Sequence, residues 1–123
     1  MYTILILGPP RTKKNHGRLV RNARTGRQRM IPSAAFIAYQ DSALAQIAMR
    51  GKPPMLARPL NCAAIFYRDA ERGDAVGYYQ ALADILQKAG VVADDKFIVS
   101  WDGSRLSKSK RSPRVEIVLT EAE

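Results

Sequence analysis

Three aspartates flank the most regular helical pattern in this sequence. Asp74 precedes the pattern, and the adjacent Asp94 and Asp95 follow it. Carboxylate oxygens suit magnesium, and a bound divalent cation activates water for attack on a phosphodiester. Because a helix of this length extends roughly 24 Å, the acids meet only if the chain folds back after Gly90. The three aspartates are candidate catalytic and metal-binding residues. In the competing interpretation, Asp74 caps the helix and the pair belongs to a polar turn.

The helix between these acids is predicted from its apolar spacing, and Gly90 supplies its C-terminal stop. The apolar positions are Ala75, Tyr78, Tyr79, Leu82, Ile85, Leu86 and Ala89. Tyr78 and Tyr79 lie on this stripe, so we expect them in the core rather than stacked on nucleobases.

The charge balance predicts a polyanionic partner. The chain has 123 residues, with 20 Lys and Arg against 11 Asp and Glu, a net charge of +9. Such an excess favours nucleic acid, because each neutralised phosphate releases a counterion. An acidic membrane surface or an acidic protein would also fit. No window has the roughly 18 consecutive apolar residues of a membrane span, so we expect no membrane insertion and a cytoplasmic location. The single cysteine, Cys62, excludes an internal disulfide and is expected in the core.

Two basic segments are candidates for contact with a nucleic-acid backbone. Residues 11–32 contain eight Lys or Arg and no acid, with Thr25 and Gly26 at the tip of a hairpin or flexible loop. The second segment, a loop at residues 105–111, contains two Arg and two Lys. The candidate DNA-contacting residues are Lys13, Lys14, Arg18, Arg21, Arg105, Lys108, Lys110 and Arg111.

The element pattern predicts a single α+β domain over residues 1–123, with a four-stranded mixed sheet and two helices packed on it. The strands are expected at Met1–Leu7, Leu60–Tyr67, Lys96–Trp101 and Arg114–Thr120, and a first helix begins near Ser33 and ends before Gly51. A β–α–β unit over residues 60–101 makes part of the sheet parallel. That topology separates Asp74 from the acid pair unless residues 91–95 return along the helix or the sheet is antiparallel there.

The acidic helix resembles part of the RusA-type Holliday junction resolvases. The resemblance is carried by Asp74, by the helix end from Asp84 to Gly90 and by the Asp94–Asp95 pair before a strand. The first strand, Pro9-Pro10 and the stretch Thr12–Asn15 are also similar to the family's start. The resemblance implies a RusA-like homodimeric endonuclease that uses Mg²⁺, with Mn²⁺ as a substitute, to cut four-way DNA junctions symmetrically. It implies metal binding by Asp74, Asp94 and Asp95.

Three positions depart from the family's pattern. The family helix opens D-x-D-N, with a lysine four residues after the second aspartate, and this chain has Val76, Gly77 and Gln80 there. The nearest substitutes are acids at Asp69 and Glu71 and cations at Lys88 and Lys96.

These observations predict a metal-dependent, structure-selective endodeoxyribonuclease that resolves four-way junctions in recombination and repair, including phage or prophage DNA processing. Two other hypotheses stay open. One is a divergent module that binds branched DNA and cuts it weakly or not at all, and the other is a basic adaptor for an acidic protein.

Overall fold

The computed structural model describes residues 1–13, 18–21, 23–31 and 33–122, and for residues 18–21 and 28–31 it describes the backbone only. Two α-helices, one 3₁₀ turn and seven strands occur in these residues. In chain order they are β1 (Tyr2–Leu7), β2 (Arg18–Arg21), β3 (Gln28–Ile31), α1 (Ala34–Arg50), β4 (Leu60–Arg68), α2 (Ala75–Lys88), the 3₁₀ turn (Asp95–Phe97), β5 (Ile98–Ser100), β6 (Arg105–Lys108) and β7 (Arg114–Glu121).

Five of the strands form one mixed sheet. Its order is β1–β7–β4–β5, and β6 pairs with β4 as well. The pairs β1–β7 and β4–β7 are antiparallel, whereas β5 and β6 both run parallel to β4. The remaining strands, β2 and β3, form a separate antiparallel hairpin. The β4–α2–β5 unit is therefore the parallel crossover that the sequence predicts.

Both helices cover one face of the sheet. In β4, buried and half-buried residues alternate, as expected for a strand with one face in the core. The same alternation occurs in β7. The core joins these strands to α1 through Tyr39, Ala43 and Ile47, and to α2 through residues that include Leu82 and Leu86. The core therefore fixes α2, and with it the acidic residues at its ends, against the sheet.

One edge of β4 carries two strands in series. β5 pairs with Leu60 and Asn61, and β6 pairs with residues 65–68. Between them, Ser104 Oγ donates to Cys62 O and accepts from Ala64 N, both at 2.9 Å. Asn61 Oδ1 accepts from Asp102 N at 2.9 Å and from Ser100 Oγ at 2.6 Å. Polar side chains thus complete the hydrogen bonding where no strand faces β4.

The outer edge of β1 is covered by polar side chains of α1. The Gln46 amide accepts from Leu7 N at 2.7 Å and donates to Leu7 O at 2.8 Å, and Arg50 Nη1 donates to Leu5 O at 3.1 Å. These bonds satisfy edge groups that a strand from another molecule would otherwise use.

The predicted α+β class, single domain, mixed sheet and two helices are confirmed, whereas the prediction of four strands is wrong. The fifth strand, β6, lies at residues 105–108, where the sequence suggested a loop because its polar residues show no apolar alternation. The strand expected at Lys96–Trp101 is shorter, because the 3₁₀ turn occupies its first residues. Among the described helices, none combines the length and apolarity needed to cross a bilayer.

Candidate functional site

Asp74 caps the N-terminus of α2. Its Oδ1 accepts a hydrogen bond from Gly77 N at 2.9 Å, which satisfies one of the unpaired N–H groups of the first turn. The fit is tight, because a Cβ at Gly77 would lie 2.7 Å from Asp74 Oδ1 and 3.5 Å from Thr12 Cγ2. Asp74 is exposed. The capping interpretation of Asp74 is therefore confirmed, and a metal-binding role for its other oxygen stays a prediction.

Asp94 and Asp95 form a pair of neighbouring carboxylates beyond the C-terminal end of α2. Asp94 Oδ1 accepts from Lys96 N at 2.9 Å and so caps the 3₁₀ turn. That hydrogen bond, followed by contact with the Asp95 carboxyl group and by the Lys96 charge, lowers the pKa of Asp94. Asp95 N donates to Gln87 Oε1 at 2.9 Å, which ties the pair to the last turns of α2. The chain after Gly90 therefore does fold back against the end of the helix.

The three predicted aspartates do not form a recognisable metal cluster in the described part of the chain. No group of three or more His, Cys, Asp or Glu side chains able to hold a metal ion occurs there. Asp74 lies at the start of the 14-residue α2 and the pair lies beyond its end. Asp94 and Asp95, which are adjacent in the chain, are therefore the carboxylates on which a candidate metal site is built.

A groove runs along α2 beside this pair, and we call it the α2 groove. Its volume is about 540 Å³. Its lining residues are Lys13, Val76, Tyr79, Gln80, Ala83, Asp84, Asp95, Ile98 and Trp101. The groove joins Asp95 to Val76 and Gln80, two of the positions that depart from the family pattern. Asp74 is not among the lining residues.

Asp84 connects the N-terminal segment to α2 inside the groove. Its Oδ2 lies 2.9 Å from Lys13 Nζ and 3.1 Å from Lys88 Nζ. Partial burial raises the pKa of Asp84, but hydrogen bonds and charges from both lysines outweigh that effect and lower it overall. Asp84 is therefore an ionised anchor for two cations, and the trio carries a net charge of +1.

An aromatic series leads from the core to the groove. Phe66 contacts the fully buried Tyr78 at a centroid distance of 5.4 Å and Tyr79 at 5.7 Å. Tyr79 then stacks on Trp101 at 4.8 Å with nearly parallel rings, 8° apart. The prediction that Tyr78 is in the core is confirmed, whereas Tyr79 is half-buried and lines the groove.

The two upstream acids differ in their surroundings. Asp69 Oδ1 lies 3.3 Å from Arg11 Nη1, so its charge is already paired. Glu71 is exposed. The prediction that either acid completes a metal site stays a prediction.

The predicted DNA-contacting residues fall into three groups. Arg105, Lys108, Lys110 and Arg111 are all exposed, and among the described residues no carboxylate lies within ion-pair distance of them. Lys13 is paired with Asp84 as described above. Lys14 lies outside the described residues, as do the side chains of Arg18 and Arg21, whose backbone belongs to β2.

Cys62 is buried, and the loss of solvation raises the pKa of its thiol to about 12. It is therefore an unreactive core residue, as the sequence predicts.

No protein-family model matches the chain, and a search of curated proteins finds no similar protein. The assignment of function therefore depends on the residues and their geometry.

Sequence reasoning missed the groove itself. Gln80 and Asp84 belong to α2, whereas Trp101 follows β5, and only the fold of the crossover brings Trp101 to the same surface as the two helix residues. The available signal was the spacing of Val76, Gln80 and Asp84 at intervals of four, which places them on one helix face.

Proposed function

We propose that this protein is a metal-dependent, structure-selective endodeoxyribonuclease that cuts four-way DNA junctions. The observation that carries the proposal is the carboxylate pair, Asp94 and Asp95, at an open groove in a strongly basic chain. The resemblance of the acidic helix to RusA-type resolvases gives the substrate and the reaction.

The acid pair suits a magnesium ion. Mg²⁺ commonly uses one or two protein carboxylates and takes its other ligands from water and substrate phosphates. A divalent cation bound between the two carboxyl groups would favour the ionised form of both. Asp94 and Asp95 would hold the ion, with Asp74 as a further proposed ligand. Mg²⁺ bound there, or Mn²⁺ in its place, would polarise the scissile phosphate and make a bound water more acidic.

The exposed cations would hold the DNA. Arg105, Lys108, Lys110 and Arg111 are all exposed and belong to one short stretch, residues 105–111. Together with Lys14, Arg18 and Arg21, they would neutralise backbone phosphates and orient the junction. Lys13 would contribute less, because Asp84 already neutralises part of its charge.

Symmetric cleavage needs two active sites, so we also propose that the protein acts as a homodimer. Each subunit would then place one acid pair near one of two opposed strands of a junction.

The test is incubation of the full chain with a synthetic four-way junction and Mg²⁺ or Mn²⁺. We expect paired nicks in two opposed strands and no nicks in a linear duplex of the same sequence. Chelation of the metal should stop the reaction. Uncut junctions in both metals, at protein concentrations that saturate binding, would contradict the proposal.

The second candidate is a junction-binding module without catalysis. It is favoured by Val76 and Gln80, which replace a carboxylate and a lysine of the family pattern and line the groove. This candidate predicts tight junction binding that is indifferent to Mg²⁺ and to the substitution Asp95→Asn.

A further inference from the structure

We propose that the α2 groove binds an unpaired nucleobase of the DNA, stacked against Trp101. The proposal rests on the nuclease function above, because it assumes a nucleic-acid ligand, and it assigns a recognition role to residues outside the carboxylate pair. A base that is unstacked at a junction or in a single strand is the kind of flat, polar-edged ligand that this groove fits.

The aromatic wall is already in place. One face of the Trp101 ring stacks on Tyr79, with the ring centroids 4.8 Å apart and an angle of 8° between the ring planes. Tyr79 in turn lies against Phe66 of β4. Both Tyr79 and Trp101 line the groove and are only half-buried. Because the stack begins on the sheet, Trp101 is held in one orientation before any ligand arrives. Such preorganised aromatic rings are the usual platforms for single-stranded nucleic acid.

Polar groups for the edge of a base lie across the same groove. The Gln80 amide offers two donors and an acceptor, and no described residue hydrogen-bonds to its side chain. Gln80 is one helical turn from Asp84, so both side chains lie on the groove side of α2. Asp84 with Lys13 adds an acceptor and a donor. A stacking ring beside an amide is the combination that reads bases in unpaired nucleic acid.

The dimensions and the remaining lining agree with this ligand. The volume of about 540 Å³ lies within the roughly 300–1,000 Å³ of typical ligand sites. Val76, Ala83 and Ile98 supply apolar contacts. Asp95 lies in the same groove, so a base held there would fix the position of its backbone relative to the acid pair.

Trp101 is the only tryptophan, so its fluorescence reports on the site directly. The probes are a single-stranded DNA of about 10 nucleotides and an oligomer of the same length that lacks bases. Binding of each labelled oligomer is measured by fluorescence anisotropy, in chelator so that no cutting occurs. We expect saturable quenching of Trp101 emission by the DNA and little or none by the abasic oligomer, although the basic surface binds both.

Substitutions provide the second readout. Trp101→Ala should weaken binding of the DNA at least about fivefold, the loss of one base–aromatic stack, and leave the abasic oligomer unaffected. Gln80→Ala, at an exposed position that should not perturb folding, should weaken it about threefold to tenfold. Met49→Ala, at an 86% exposed position on α1, is the matched control and should change neither affinity. Trp101→Phe keeps a ring and controls for altered packing.

The outcomes separate this proposal from the nuclease proposal. Tight binding of DNA with unchanged Trp101 emission would overturn the base site and leave the nuclease function standing. Equal quenching by the abasic oligomer would overturn it as well, because the change would not need a base. Quenching that depends on protein concentration without DNA would assign the groove to a second copy of the chain instead. If neither oligomer nor a four-way junction binds, both proposals fail.

Discussion

Asp74 has a structural role and a proposed chemical role, and substitution can separate them. Asparagine caps a helix about as well as aspartate, so Asp74→Asn should change the free energy of unfolding by less than about 0.5 kcal/mol. Asp74→Ala removes the hydrogen bond to Gly77 N and should cost about 1 kcal/mol. Chemical denaturation measures both. If Asp74 also binds metal, both variants should lose junction cleavage, including the one with normal stability. Full cleavage by Asp74→Asn would restrict Asp74 to capping.

Asp84 gives the protein a predictable acid response. Its pKa is lowered in the folded state because Lys13 and Lys88 outweigh the effect of partial burial, so its ionisation stabilises the fold above the unfolded pKa. That contribution is lost as the pH falls through the lowered pKa. Both lysines are about half exposed, so we expect Asp84→Asn to cost no more than about 1 kcal/mol at neutral pH.

The deficit of Asp84→Asn should shrink as the pH falls below about 4, where the aspartate of the unfolded chain takes up a proton, and should vanish once the pH passes the lowered pKa of the folded state. Urea unfolding at several pH values measures it, with Asp102→Asn at an exposed turn as the control. A deficit that stayed the same at low pH would contradict the assignment of the ion pairs.

At the residue scale, features that depend on residues nearby in the sequence could be predicted, whereas the meeting of distant residues at one site could not. The start of the first helix near Ser33 was predicted correctly and the competing interpretation of Asp74 as a cap is confirmed, because capping depends on neighbours three positions away. The groove partners Asp84 and Trp101 could not be predicted, because the crossover from α2 to β5 decides which residues meet.

Ser104 fills the gap at the edge of β4 between its two parallel neighbours, β5 and β6. Its hydroxyl makes the hydrogen bonds to Cys62 O and Ala64 N of β4 that a strand backbone would otherwise make, and Ala64 is fully buried. Ser104→Ala would leave the Ala64 N–H and Cys62 O unpaired, at a cost of about 1–3 kcal/mol. Thermal or urea unfolding measures it. Ser112→Ala, in an exposed turn, should stay within about 0.5 kcal/mol of wild type. Equal stability of the two variants would show that water replaces the Ser104 hydroxyl.

At the element scale, apolar periodicity predicted both helices and the central strands, because their buried faces follow a regular repeat. β6 escaped prediction for the opposite reason: it is a short edge strand whose residues are mostly polar, and its register is set by β4. The hairpin of β2 and β3 was one of two alternatives left open by the sequence.

The charge of the whole molecule predicts how DNA binding responds to salt. Removing one phosphate-binding cation should reduce the slope of log affinity against log salt by about 1. Replacing Lys108 and Lys110 by Gln should therefore reduce the slope by about 2. Arg58→Gln should leave it nearly unchanged, because Arg58 Nε is already paired with Glu121 at 2.6 Å. Anisotropy titrations at several salt concentrations measure this, and equal slopes for wild type and the double variant would remove the second basic segment from the DNA surface.

The measurement that tests the central claim most directly compares junction cleavage by wild type, by the double variant Asp94→Asn with Asp95→Asn, and by Asp102→Asn. Binding of the uncut junction in chelator is measured alongside for each protein. The account predicts paired nicks by wild type and Asp102→Asn, and at least about 100-fold slower cleavage by the double variant without weaker binding. Undiminished cleavage by the double variant would place the chemistry elsewhere. Binding by all three proteins without cuts by any would leave a junction-binding module.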